Sequence, residues 1–178
     1  MKTIFNEKVL EEIKDKLISK QHSIAVAESV TAGFLQAALA SAENASSFFQ
    51  GGITAYNLGQ KARHLNIEPI HAESCNCVSQ KVAEEMSFAV SRLFSSQWGI
   101  AITGYATPMP ECSVDDPFAY YAISFENRLV ALQKVNTEKG NPIDIQIFYV
   151  NQILADFNTL LGHQSSFSKS DLNSIDSR

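Results

Sequence analysis

A serine placed where its surroundings make it reactive is the chemistry suggested by the stretch Ile24 to Gly33, Ile-Ala-Val-Ala-Glu-Ser-Val-Thr-Ala-Gly. A short apolar run ends at Glu28 and Ser29. Thr31, Ala32 and Gly33 then open a segment, Phe34 to Ala42, of helix formers with apolar residues at helical spacing. The pattern reads as strand, tight turn, helix. It sets Ser29 at the mouth of a helix whose first N–H groups lack partners within the helix and, with the positive end of the dipole, favour a developing negative charge. The same position suits a plain N-cap, because a serine hydroxyl satisfies one of those N–H groups. Position alone leaves both readings open. Cys75-x-Cys77 and Cys112 are an odd set without a C-x-x-C pair or matched histidines, so they read as ordinary thiols, with neither a disulfide framework nor a metal site. Lys61, Arg63 and His64, on a short helix expected over Gln60 to Leu65, read by composition as a solvated face.

These residues must be held by a domain, and 178 residues, 45% of them hydrophobic, suffice for one sizeable core. The net charge of −5 and the lack of a Lys/Arg cluster argue against a nucleic-acid partner. Charges run through Met1 to Glu12, and no apolar run approaches the roughly 20 residues that span a bilayer. The expectation is a cytoplasmic protein with no membrane partner.

The pattern predicts an amphipathic helix over Phe5 to Ile18, the strand and helix around Ser29, and a second buried strand over Gly51 to Asn57 whose glycines let other groups come close. Phe48 and Phe49 read as core or subunit contact. Pro69 and the polar residues after it break the chain before Ser79, which caps a long helix to Phe94. A third strand over Trp98 to Thr103, a proline- and acid-rich loop from Tyr105 to Pro117, and a hairpin of Phe118 to Phe125 with Leu129 to Val135 follow. Pro142 starts a last helix to about Leu161. Helices between strands imply parallel crossovers and the hairpin an antiparallel part. The expected fold is a three-layer α/β/α sandwich with a mixed, mostly parallel sheet over 1–162, followed by a disordered polar tail over 163–178.

Four motifs go further than periodicity. Ala27-Glu28-Ser29-Val30-Thr31-Ala32-Gly33, then Phe49-Gln50-Gly51-Gly52-Ile53-Thr54-Ala55-Tyr56-Asn57 with Lys61 downstream, then Val78-Ser79, then Gly99-Ile100-Ala101-Ile102-Thr103-Gly104, resemble in order and spacing the CinA C-terminal domain family. The resemblance covers Phe5 to Leu161. It implies hydrolysis of the carboxamide of nicotinamide mononucleotide to nicotinate mononucleotide and ammonia, without a cofactor or metal, by a homo-oligomer. Ser29 matches the family nucleophile, and Lys61 is then the natural base, provided that burial keeps it neutral. Tyr56 matches a tyrosine able to relay the proton or hold the lysine. Thr31 and Thr103 match positions lining the site, where hydroxyls and nearby N–H groups can hold an oxyanion. Glu28 matches an acid that binds the ligand or pins the turn, and Gly33 and Gly104 complete the expected substrate-binding set.

The sequence departs from that family in two places. A glycine-rich segment follows Thr-Gly in enzymatic members, whereas here Tyr105-Ala106-Thr107-Pro108-Met109-Pro110-Glu111 stands, with side chains where backbone N–H groups would approach a ligand. Glu111, Asp115 and Asp116 would repel a phosphate if they faced the site. In the last helix, Gly140, Asn141, Pro142 and Gln146 replace an arginine-bearing start, so the fork that grips phosphate is missing. The reactive half of the site reads as retained and the nucleotide-gripping half as rebuilt. The alternative is a catalytically silent relative that binds a ligand or a protein.

Overall fold

The computed structural model describes residues 4–163. The elements are α1 (Glu7–Ser19), β1 (Ile24–Glu28), α2 (Phe34–Ala40), β2 (Phe49–Thr54), α3 (Leu58–Leu65), α4 (Pro69–Ser74), α5 (Gln80–Leu93), β3 (Trp98–Gly104), β4 (Phe118–Phe125), β5 (Arg128–Asn136) and α6 (Pro142–His163). The expected tail lies outside the described residues except for His163, which closes α6. No helix among the described residues is long and apolar enough to cross a membrane.

The five strands form one mixed sheet in the order β2-β1-β3-β4-β5. β1 pairs in parallel with β2 and β3, and the β4–β5 hairpin continues antiparallel from β3, so four of the five strands point the same way. Glu126 and Asn127, both at positive φ, make its two-residue turn, whose backbone twist suits paired strands. α1, α2 and α6 pack together on one face, and α5 covers the other with α3 beside it.

Strand alternation sorts the two cores by size. Ile24, Val26, Ile100 and Ile102 face α1, α2 and α6, and pack with large apolar residues of those helices such as Ile13, Leu17, Tyr149, Ile153 and Phe157. Ala25, Ala27 and Ala101 face α5, with Val82, Met86 and Val90 against them. Small residues on that side let α5 lie close to the sheet. At Gly99 a Cβ would come within 2.1 Å of the Ser87 carbonyl oxygen. Gly99→Ala is therefore expected to cost about 3 kcal/mol or more, because backbone on both sides must move. A thermal melt by circular dichroism with an unchanged midpoint would contradict this.

Two expectations need correction. β2 is an edge strand and half exposed, not buried, since it pairs with β1 alone. Its glycine still serves close approach: a Cβ on Gly52 would sit 2.7 Å from Gln36 Cγ and from the Val26 carbonyl oxygen. Pro69 starts α4 instead of ending structure, because Glu68 accepts from the N–H groups of Ile70 (2.9 Å) and His71 (2.7 Å) and proline at the first position forfeits no bond. Phe48 is core.

Candidate active site

β1, β2 and β3 end side by side. The connection from β1 to β2 runs through α2 on one face, and that from β2 to β3 through α5 on the other. Such a reversal leaves a crevice outside the carboxyl ends of the strands. Here it is a cavity of about 560 Å³ whose wall includes Ser29, Val30, Tyr56, Lys61, Cys77, Thr103, Gly104, Met109 and Gln146.

Lys61 enters it by helix geometry. Asn57 caps α3, its Oδ1 accepting from Gln60 N at 3.1 Å, and Lys61 sits in the first full turn. Helical side chains lean toward the N-terminus, so this one points back over the strand ends. Its Nζ lies 2.8 Å from Ser29 Oγ and 3.0 Å from the Ala55 carbonyl oxygen, and the residue is 1% exposed. Burial lowers the Lys61 pKa below the ordinary lysine value of 10.5, with the nearby Cys77 opposing. An uncharged amine can give one hydrogen to Ala55 and take the serine proton on its lone pair. Burial likewise pushes the Cys77 thiol up, so it stays protonated and does not compete as a nucleophile.

The helix mouth differs from the sequence expectation. Glu28 is fully buried, and its carboxylate accepts from Gly33 N (3.0 Å), Leu35 N (3.0 Å), Gln36 N (2.8 Å) and Gln36 Nε2 (3.1 Å). The opening N–H groups of α2 are therefore filled from within, and Glu28 pins the turn instead of meeting a ligand. Ser29 is no cap either, since its hydroxyl is beside Lys61. The N–H groups of Val30 and Thr31, in the turn ahead of α2, have no partner among the described residues, and Val30 is on the cavity wall. The Val30 N–H replaces the helix end as the candidate donor to an oxyanion.

Other expected residues divide in the same way. Thr103 is on the wall, but its hydroxyl donates to the Cys77 carbonyl oxygen at 2.8 Å. Its one proton is committed, so it can accept from a ligand but not donate to an oxyanion. Tyr56 is 69% exposed at the rim; the Ala55 carbonyl, not Tyr56, holds the lysine. Thr31 is buried off the wall, with Oγ1 unpartnered among the described residues. Gly33, at φ +109°, is needed for the turn, and Gly104 because a Cβ would meet the Phe118 carbonyl oxygen at 2.4 Å. Both serve the backbone and its packing.

Cys77, Asn76 and Tyr105 reach the wall unforeseen as site residues. Asn76 and Cys77 share positive φ, unusual for a cysteine, and that turn has no periodic signal to reveal it. Glu111, Asp115 and Asp116 are exposed and off the wall.

Residues 6–160 match the CinA C-terminal domain. The chain belongs to this family. The CinA domain here is 32% identical over 149 residues to Protein MG115 of Mycoplasma genitalium, covering 84% of this chain and 94% of that protein. It is 39% identical over 101 residues to a CinA-like protein of Picosynechococcus, covering 57% of this chain and 24% of that one; the matched region is about a quarter of that relative's length. Its fold matches the crystal structure of a CinA superfamily protein from Klebsiella pneumoniae with TM-score 0.83 at 23% identity, covering 91% of this chain and 99% of the other. A CinA superfamily protein from Enterobacter cloacae gives 0.83 at 25% identity, over 90% and 95%.

Proposed function

We propose that this CinA domain is an amidohydrolase that uses Ser29 as nucleophile and Lys61 as base, acting on the carboxamide of nicotinamide mononucleotide or a related carboxamide. The observation that carries this reading is the 2.8 Å approach of a buried lysine amine to the serine hydroxyl. Ser29 Oγ attacks the carboxamide carbon as its proton passes to Lys61 Nζ. The carbonyl π pair moves to oxygen, for which the unpartnered N–H of Val30 on the cavity wall is the available donor. Collapse breaks the C–N bond, and Lys61 returns the proton to the leaving nitrogen as ammonia departs. Water, deprotonated by Lys61, then attacks the acyl-serine; Lys61 passes that proton to Ser29 Oγ as the ester C–O bond breaks, and the acid formed leaves as its carboxylate, its proton going to solvent. No cofactor is needed for these steps. Self-association and a cytoplasmic location belong to the same reading, carried by the family resemblance.

Ammonia release from a panel of carboxamides that includes nicotinamide mononucleotide tests it, with Ser29→Ala as control. Because only the neutral amine is a base, kcat/KM is expected to rise with pH along a single acid limb, with an apparent pKa below 10.5. Turnover that falls as pH rises through this range would reject Lys61 as base. Absence of ammonia from every compound, with retained binding, would instead favour the catalytically silent relative.

A further inference from the structure

The hydrogen-bond directions around the cavity bear on what it accepts, granted the amidase reading above. Its wall, among the described residues, carries one ionisable amine, Lys61, and that amine must be uncharged to act as a base. Three side-chain donors of the wall are already engaged by the protein itself. Asn76 Nδ2 donates to Tyr105 Oη at 3.1 Å and to Cys112 Sγ at 3.3 Å. Thr103 Oγ1 donates to the Cys77 carbonyl at 2.8 Å, and Gln146 Nε2 to the Val30 carbonyl at 2.7 Å. What Asn76 and Thr103 have left for a ligand is acceptor capacity, Asn76 Oδ1 and the Thr103 lone pairs, while Gln146 keeps Oε1 and one N–H hydrogen.

The loop that replaces the family's glycine segment is closed on itself in the same way. Met109 N donates to Val114 O at 2.9 Å and Val114 N to Met109 O at 3.1 Å. Cys112 N donates to Met109 O at 2.9 Å and Ser113 N to Pro110 O at 3.0 Å. Pro110 has no N–H to offer. The N–H groups of Met109, Cys112, Ser113 and Val114 are thus bonded within the loop, and Met109 stands on the cavity wall.

A phosphate brings charged acceptors and needs donors or a cation once it leaves water. Among the described residues the wall offers it no charged group besides Lys61, which must stay neutral, whereas a hydroxyl or amide N–H brings hydrogens to the free acceptors. We infer that the site takes a phosphate-free carboxamide, of up to nucleoside size and bearing hydroxyl or N–H donors, and discriminates against the phosphorylated form. The volume of about 560 Å³ accommodates such a molecule.

Nicotinamide riboside and nicotinamide mononucleotide differ only by the phosphate and make the comparison direct. On the full chain, kcat/KM for ammonia release is expected to favour the riboside by about tenfold or more. Gln146→Arg, which adds a cationic fork on the wall, is expected to narrow that ratio by about tenfold, and a ratio it leaves unmoved would remove the selectivity from this wall. Equal or better turnover of the mononucleotide by the unmodified chain overturns the inference. Calorimetric binding of both compounds to Ser29→Ala separates it from the amidase reading. If neither compound releases ammonia, hydrolysis fails, yet tighter riboside binding still supports the phosphate-free site. Equal binding, tighter mononucleotide binding or no binding of either overturns it.

Discussion

Ser29→Ala is expected to lower kcat by on the order of 10⁴-fold, Lys61→Met by a similar factor, and the double variant by no more than either alone. In the proposed mechanism the two side chains, 2.8 Å apart, perform one proton transfer, so removing either removes the step and the second loss has nothing left to act on. Initial rates of ammonia release measure this. A double variant that loses the product of the two factors would mean that the residues act independently and that the dyad is wrong.

Lys61→Met carries a second signature, in stability. In the unfolded chain the lysine keeps its ordinary pKa of 10.5, while burial lowers it in the folded one. Between the lowered value and 10.5 the unfolded state therefore holds a proton that the folded state lacks, and wild-type stability rises with pH through that window. Methionine has nothing to titrate. The melting temperature of Lys61→Met relative to wild type is accordingly expected to be highest at low pH and to decline as pH rises, the reverse of a surface lysine losing a salt bridge.

Glu28→Gln is expected to destabilise the fold by about 3 kcal/mol, seen as a fall of roughly 10 °C in melting temperature. The carboxylate takes four N–H hydrogens with two oxygens, all of them from Gly33, Leu35 and Gln36. An amide must turn its NH₂ toward at least one of these donors. Turnover should fall with it, since Ser29 is the next residue. Differential scanning calorimetry decides between this role and ligand binding, which would raise KM at unchanged melting temperature.

The sequence carried most of the fold because each long element has its own local signal. Asn6, Asn57 and Ser79 cap helices with a side-chain oxygen that accepts from the first turn, and Ile24 to Glu28 and Trp98 to Gly104 are apolar almost throughout. The motifs around Ser29, Lys61 and Thr103 named the residues that the structure gathers at the strand ends. What stayed hidden depends on direction and partner, which spacing does not encode. Glu28 looks equally suited to ligand and turn until its oxygens are seen to face α2. Thr103 looks like an oxyanion donor until its proton is found on the Cys77 carbonyl. The edge position of β2 follows from strand order, a tertiary fact, and α4 was masked by a proline that starts a helix as readily as it stops one.

The hairpin turn at Glu126 and Asn127 lies at the end of the sheet opposite the strand ends that carry Ser29 and Thr103, because β4 runs back from Gly104 toward Trp98. Both turn residues are exposed. That makes the tip a practical handle: a tether to a sensor surface, a fluorophore or an inserted epitope can be attached there, the length of β3 away from Ser29 and Thr103, with the cavity left open to solution.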